Sequence, residues 1–266
     1  MRVFISSDIE GTCGITAWSE TVYGNPDYAQ FQLQMSKEVA AAAAGALDAG
    51  ATRVVVRDAH NTARNIIPSM LPEEVFLSRG WRGDMHSMMS GIQLEKFDAA
   101  AFTGYHSGAS FPDTPLSHTT NRDNEWIELN GERMSEFLFN AHVAAYYGVP
   151  VVFISGDAGI CKEAKKWIPA ITPVETYTGI GRGTIAPHPA VIERRMREAM
   201  KEALAGDVSA CLFKLPDSFE IKVRYFEHAS ASYHAFYPGV KQLDSKTVAF
   251  ACNDFLDIMR FYQFCV

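Results

Sequence analysis

The stretch RVFISSDIEG, residues 2–11, reads as a buried strand that ends in two acids separated by one residue. Its first six residues are mostly apolar and of strand length, and Asp8, Glu10 and Gly11 follow directly. In an extended chain, positions i and i+2 point to the same side. We therefore expect the two carboxylates to point to the same side of the chain just beyond the first strand, where Gly11 permits a turn.

Strand-like and helix-like segments alternate along most of the chain. The sequence predicts strands at 2–7, 51–59, 73–80, 97–106 and 149–159, and helices at about 28–48, 133–148 and 188–205. This alternation, with nearly continuous apolar strands, is typical of a layered α/β/α fold with a mostly parallel central sheet. In the last quarter of the chain the pattern changes, and SFEIKVRYF (218–226) alternates with the period of a half-buried strand. We predict one catalytic unit, 1–266, with a smaller C-terminal α+β subdomain over about 170–266.

Composition restricts the class of protein. The chain has 266 residues, 47% of them hydrophobic, and a formal net charge of −7. That charge, without a basic run, argues against a nucleic-acid partner. No segment approaches the roughly 18 apolar residues of a membrane span, and the acids at Asp8 and Glu10 interrupt any signal-like start. The five cysteines are odd in number and lack a C-x-x-C spacing, which favours a reduced, cytoplasmic protein without a membrane partner.

Acids and histidines also follow other predicted strands. Asp58 and His60 come after the second strand in VVVRDAH, and His106 follows the fourth in AAFTGYH. Ligands of open α/β sheets gather beyond the carboxyl ends of the strands, so these groups are expected to converge with Asp8 and Glu10. Two acids after a strand are, taken alone, most often solvated turn residues or helix caps, and a lone histidine in a loop is seldom a ligand. Together, they predict a metal site, because clustered carboxylates need a cation and Zn²⁺ takes oxygen and imidazole ligands.

These motifs resemble a known family. SSDIEG is similar to the S-x-D-x-E-G signature of the zinc-dependent D-aminopeptidases, the type encoded among dipeptide-transport genes. The resemblance continues in order through RDAH, GYH, the SH pair at 117–118 and SEFLFNAHVAAYYGVPVVFISGD at 135–157. It covers most of the chain and thins after about residue 170. Several separated motifs in the right order make it specific.

The resemblance implies two zinc ions in each chain and five residues as their ligands. Asp8 matches the aspartate that bridges the two ions. Glu10 and His60 match the other ligands of one zinc, and His106 and Glu136 match the ligands of the second. Glu136 is implied by the resemblance alone, because a glutamate early in a helix is ordinarily a surface residue or a partner of the helix N-terminus.

The resemblance also implies an activity. It is that of a dinuclear zinc aminopeptidase that hydrolyses N-terminal residues, of D-configuration, from short peptides or amides. His118 matches a histidine with a direct catalytic role, and both a proton-transfer role and a nucleophilic role stay open. The alternatives are a metal-dependent hydrolase of another amide or ester bond and a non-catalytic, metal-containing binding protein. The family forms closed rings, so a homo-oligomer such as a ring-shaped decamer is expected.

One segment departs from the family pattern. Between Thr119 and Glu128 the sequence TTNRDNEWIE is more polar than the resemblance predicts. If this segment lines the substrate pocket, the substrate of this chain differs from that of its relatives.

Overall fold

The computed structural model describes residues 1–266, and its core is built from strands and helices that alternate along most of the chain. The strands are β1 (Arg2–Ser7), β2 (Arg53–Asp58), β3 (Val75–Ser78), β4 (Ala99–Tyr105), β5 (Asn124–Leu129), β6 (Glu132–Arg133), β7 (Val151–Asp157), β8 (Thr172–Ile180), β9 (Gly183–Ile185), β10 (Phe219–Tyr225), β11 (Lys241–Gln242) and β12 (Thr247–Cys252). The α-helices are α1 (Tyr28–Asp48), α2 (Glu136–Tyr146), α3 (Ala158–Trp167), α4 (Pro189–Ala205), α5 (His228–His234) and α6 (Phe255–Cys265).

The larger sheet has seven strands in the order β3-β2-β1-β4-β7-β8-β9. All its pairings are parallel except that of β8 with β9, which is antiparallel. The helix pair α1 and α4 packs together against this sheet, while α2 contacts β4 and α3 contacts β7 and β8. The predicted α/β fold with a mostly parallel central sheet is therefore confirmed.

The central strands are apolar because helices cover them. Every residue of β4 and β7 is buried, which is why both segments read as continuous apolar runs rather than alternating ones. The alanine-rich helix α1 ends at Asp48, and Gly50 follows with a φ of 86°, a backbone conformation that suits glycine. None of the helices combines the length and the apolar character that crossing a membrane requires.

A second, antiparallel sheet has the order β11-β12-β10-β5-β6. Its central strand β10 corresponds to the strand predicted at 218–226, and the residues of β10 alternate between buried and more exposed positions. The sheet combines 124–133 with 219–252, whereas β8, β9 and α4 belong to the larger sheet and its helices. Each of the two sheets thus contains strands from before and from after residue 170. The single catalytic unit with a C-terminal subdomain stays a prediction.

The backbones that follow β1 and end β4 lie in direct contact, and two glycines allow this close approach. A Cβ atom at Gly11 would collide with the carbonyl oxygen of Tyr105, and one at Gly104 would collide with that of Asp8. Gly104 also has a φ of 68°, which a side chain would strain. The glycines of the SSDIEG and GYH motifs therefore let the acids after β1 and the histidine after β4 lie side by side.

Candidate metal centre

The acids after β1 meet the histidine after β2 at the carboxyl edge of the larger sheet. The Nδ1 atom of His60 lies 3.2 Å from Oδ1 of Asp8 and 3.0 Å from Oε2 of Glu10. All three side chains are buried. They form one group of ligand atoms, all within 4.8 Å of one another, that could hold a metal ion.

A second group adjoins the first through Asp8. The Nε2 atom of His106 lies 3.5 Å from Oδ2 of Asp8 and 3.4 Å from Oε1 of Glu136. The Nε2 atom of His118 lies 3.6 Å from the same Glu136 oxygen, and His106, His118 and Glu136 could also hold an ion. Because one oxygen of Asp8 faces His60 and the other faces His106, its carboxylate stands where a shared ligand of two ions would stand.

The three histidines are oriented by backbone carbonyls. Nε2 of His60 is 2.8 Å from the oxygen of Thr21, and Nδ1 of His106 is 3.0 Å from that of Ser107. Nδ1 of His118 is 2.9 Å from the oxygen of Leu116. A carbonyl can only accept, so each of these nitrogens donates a proton. In the neutral rings the opposite nitrogens then direct lone pairs at the carboxylates, the orientation that metal-binding imidazoles show.

Three buried carboxylates lie together at this edge, and imidazole rings face them. Oε2 of Glu10 and Nε2 of His106 are buried without a hydrogen-bond partner, a costly arrangement for polar atoms. Burial, and then the charge of Glu10, raises the pKa of Asp8 to about 8. Burial opposes a proton on His106, but the carboxylates of Glu136, Asp8 and Glu10 together outweigh it and raise the pKa of His106 to about 10. Zn²⁺ accepts this mixture of oxygen and nitrogen ligands, so the residues fit the metal.

A cavity of about 570 Å³ opens onto these groups. Asp8, Glu10, His60, His118 and Glu136 all line it, whereas His106 does not. His106 lies beneath the parallel ring of His118, with 4.3 Å between the ring centroids. The side chain of His118 is 12% exposed, compared with 1% for His106. Of the two stacked rings, His118 is therefore the one that a molecule in the cavity can touch.

Comparison with known proteins identifies the family of this chain. A family model described as D-aminopeptidase matches residues 1–264. The chain belongs to the D-aminopeptidase family. It is 29% identical over 262 residues to a D-aminopeptidase of Bacillus subtilis (strain 168), covering 97% of this chain and 93% of that protein. The predicted family is thus confirmed.

A solved D-aminopeptidase has the same fold. It is the Zn-dependent D-aminopeptidase DppA from Bacillus subtilis, described as a self-compartmentalizing protease. The similarity has a TM-score of 0.92 at 28% sequence identity, and it covers 98% of this chain and 95% of that one. A match of this extent covers both sheets of this chain.

Sequence reasoning assigned no role to Asp157, which orients His106 in this D-aminopeptidase fold. Its carboxylate accepts hydrogen bonds from the backbone N–H and the hydroxyl of Ser107, both at 2.6 Å, and from the N–H of Ile160 at 2.9 Å. The carbonyl of Ser107 in turn accepts the proton of His106 Nδ1. The only signal in the sequence was the position of Asp157 at the end of an apolar strand.

A second missed residue, Thr120, holds Glu136. The backbone N–H of Thr120 donates to Oε1 of Glu136 at 2.6 Å, and Ser135 caps the helix by accepting from the N–H of Leu138. Thr120 has a φ of 69°, which is strained for a β-branched residue. The strain turns this N–H toward the carboxylate, and the sequence hinted at it only through the unusual polarity of the segment after His118.

Asp58, in contrast, is not directed at the site. Its carboxylate accepts hydrogen bonds from the N–H groups of Asn65 and Ile66 and from the Asn65 side chain. The Asn65 side chain also donates to the carbonyl of His60. The aspartate of the RDAH motif therefore supports the loop that carries His60 rather than contacting the other acids.

We expect Asp157→Asn to weaken zinc binding by about 10–100-fold, the usual effect of removing a partner that orients a ligand. The amide cannot accept both hydrogen bonds of Ser107, so His106 loses its fixed orientation. Competition for zinc with a chromophoric chelator would measure the change, with Asp217→Asn, an exposed aspartate, as the control. Equal zinc affinity in the two variants would remove Asp157 from this role.

Proposed function

We propose that this chain is a zinc aminopeptidase that removes N-terminal D-amino acids from short peptides or amides. The observation that carries the proposal is the pair of ligand groups joined through Asp8 at the edge of a cavity. Family membership supports it, since the family is one of D-aminopeptidases. The chain is proposed to act as a single catalytic unit, and its cytoplasmic location stays a prediction.

We propose two zinc ions in each chain. Asp8 is the shared ligand, Glu10 and His60 complete one set, and His106 and Glu136 complete the other. At these residues zinc would supply the chemistry of a metallohydrolase, which is polarisation of a carbonyl and a lower pKa of water. The protein supplies the fixed orientation of the ligands through the backbone carbonyls that hold the imidazole rings.

His118 is proposed to move the proton that amide cleavage requires. Its Nδ1–H is held by the carbonyl of Leu116, so Nε2 is left to face Glu136 and the cavity. The edge of Trp18 contacts the ring, with 5.0 Å between centroids. Burial, and then the neighbouring His106, lowers the pKa of His118. The neutral ring, whose Nε2 carries no proton, can take one from the attacking water and then give it to the leaving amine.

The test of the function uses protein purified without chelator. Elemental analysis is expected to find about two zinc ions per chain, matching the two ligand groups. The loaded protein should hydrolyse D-alanyl dipeptides and anilides faster than their L-alanyl counterparts. Hydrolysis of other amides or of esters alone would favour the alternative hydrolase, and zinc without any turnover would favour a binding protein.

Metal removal should also change stability. A zinc concentration of 100 times its Kd stabilises the folded chain by about 2.7 kcal/mol, which corresponds to a rise in Tm of roughly 5–10 °C. We expect dialysis against a chelator to lower Tm by this amount and added zinc to restore it. A Tm that is insensitive to zinc would contradict the ligand assignment independently of any activity measurement.

We propose that the chain assembles into a closed homo-oligomer, of which a ring-shaped decamer is one form. Three strongly exposed aromatic side chains line one surface pocket, and we call them the aromatic patch: Tyr233 at 74%, Phe236 at 89% and Phe264 at 68%. Exposed aromatic clusters typically mark contacts between proteins. The similar DppA is described as self-compartmentalizing, which supports a second copy of this chain as the partner.

Phe236→Glu is therefore expected to shift the protein toward smaller species at micromolar concentration. The substitution buries a charge in the proposed contact, and an unpaired buried charge is strongly unfavourable. Light scattering coupled to size exclusion would measure the mass. Leu94→Glu, at another exposed apolar position of 61%, is the control. A wild-type chain that is already monomeric would contradict the assembly, and an unchanged mass in Phe236→Glu would contradict this patch.

A further inference from the structure

The polar segment that departs from the family pattern lines the cavity. Thr120, Asn121 and Arg122 are all among the cavity residues. Arg122 is exposed, and its side chain forms no ion pair or hydrogen bond within the chain. Its guanidinium lies over the ring of Trp18, 4.7 Å from the centroid. It is the only arginine or lysine that lines the cavity.

The charges in the cavity are unevenly placed. Asp8, Glu10 and Glu136 lie together at the candidate metal centre. Asp84, a fourth acid in the cavity, is already paired with Arg82 at 3.4 Å. The guanidinium of Arg122 is thus not paired with any carboxylate side chain. Trp18 links it to the centre, because the same indole ring lies under the Arg122 guanidinium and contacts the ring of His118.

The backbone that carries Arg122 is held in place. Thr120 is tied to Glu136 through its N–H, and the side chain of Asn121 donates to the carbonyl of Val266 at 2.8 Å. The Asn121 oxygen accepts from the N–H of Asp123 and from the side chain of Asn124. The guanidinium is therefore presented at a defined place relative to the ligands rather than on a free loop.

We propose that Arg122 binds the terminal carboxylate of a short peptide whose N-terminal residue lies at the metal centre. An arginine recognises a carboxylate through two parallel, charge-assisted hydrogen bonds. The separations across Trp18 place the guanidinium within about 10 Å of His118, and an extended chain spans about 3.5 Å per residue. The substrates selected are peptides of two to four residues with a free carboxyl terminus. This inference rests on the proposed function.

The test compares a D-alanyl-D-alanine dipeptide with its C-terminal amide, so that the bond cleaved is the same. The wild-type enzyme should favour the free acid in kcat/KM, mostly through KM. Arg122→Gln should lower the ratio of acid to amide by about 10–100-fold, the usual contribution of hydrogen bonds to a charged group. Arg122→Lys should recover part of the ratio, since it keeps the charge but loses the planar pair of donors.

The control is Arg194→Gln, which makes the same change of charge at an exposed position of α4 away from the cavity. Its acid-to-amide ratio should equal that of the wild type. Equal losses on both substrates in Arg122→Gln would overturn the inference, because they indicate a structural role of the Trp18 contact. A wild-type ratio near one would overturn it as well.

Failure of the proposed function would look different. A zinc-loaded wild-type protein that hydrolyses neither substrate contradicts the aminopeptidase, and calorimetry then tests Arg122 by itself. The free acid should bind more tightly than the amide, and Arg122→Gln should remove the difference. Equal binding of the two compounds to the wild type would overturn the inference in that case too.

Discussion

Asp8→Asn is expected to lower kcat/KM by about 10⁴-fold or more, the loss that accompanies removal of the chemistry of a catalytic metal. The carboxylate faces both ligand groups, with one oxygen toward His60 and the other toward His106. The amide keeps the shape but is neutral and can direct an oxygen at only one group. Elemental analysis should therefore show that the zinc content falls together with activity.

In the zinc-free chain we expect the same variant not to be harmful, because it should leave Tm unchanged or raise it. Asp8 is buried beside the carboxylates of Glu10 and Glu136, and both raise its pKa by repulsion. The zinc-free chain must either hold a proton on Asp8 or bear that repulsion, and the amide avoids both while its oxygen can keep the hydrogen bond from the N–H of Ile9. Zinc-free Asp8→Asn should have a Tm at least equal to that of the zinc-free wild type.

Asp217→Asn, at an exposed position, is the matched control and should leave both zinc content and Tm unchanged. The informative quantity is the rise in Tm on adding zinc, which should be present in the control and nearly absent in Asp8→Asn. A normal rise and full zinc content in Asp8→Asn would contradict its role as the shared ligand, even if activity were lost.

Much of this centre could be predicted because parallel strands deliver their carboxyl ends to one edge of a sheet. Asp8, Glu10, His60 and His106 all follow apolar strands of the larger sheet directly. Once the alternation of strands and helices indicated a parallel sheet, their convergence followed from topology. The structure brings all four together at distances of 3.0–3.5 Å between facing atoms.

Glu136 could not be found in this way. It begins helix α2, where a glutamate is ordinarily explained by the helix dipole, and only the family resemblance singled it out. The role of Thr120 could not be predicted for another reason, since nothing in a sequence fixes a φ of 69° at a threonine. Its strained conformation depends on the final packing around Glu136.

The second sheet was incompletely predicted for a related reason. β5 pairs with β10, so residues near 127 bond to residues near 223. Pairing between segments so distant in the chain depends on which surfaces remain open once the larger sheet has formed, and local patterns do not record it. The pattern at 218–226 indicated a half-buried strand but not its neighbours.

The second large effect concerns His118. We expect His118→Ala to keep its zinc and its fold while turnover falls by about 10²–10⁴-fold, the usual contribution of general acid–base catalysis. Geometry allows two roles, because Nε2 of His118 is within 3.6 Å of Glu136 and the ring also lines the cavity. A ligand would take zinc with it when removed, and a proton carrier would not. Zinc content and turnover measured on the same sample therefore separate the roles.

The pH profile makes the separation sharper. A histidine that first takes a proton must begin without one, so its contribution to the rate is lost as pH falls through its lowered pKa. Zinc-bound water can titrate in the same region, but only the limb that belongs to His118 should vanish in His118→Ala. His142→Gln is a suitable control, since that histidine is buried against Phe255 and Phe213 and does not line the cavity. Near-normal turnover in fully zinc-loaded His118→Ala would remove His118 from the mechanism, and a loss well beyond 10⁴-fold would favour a nucleophile.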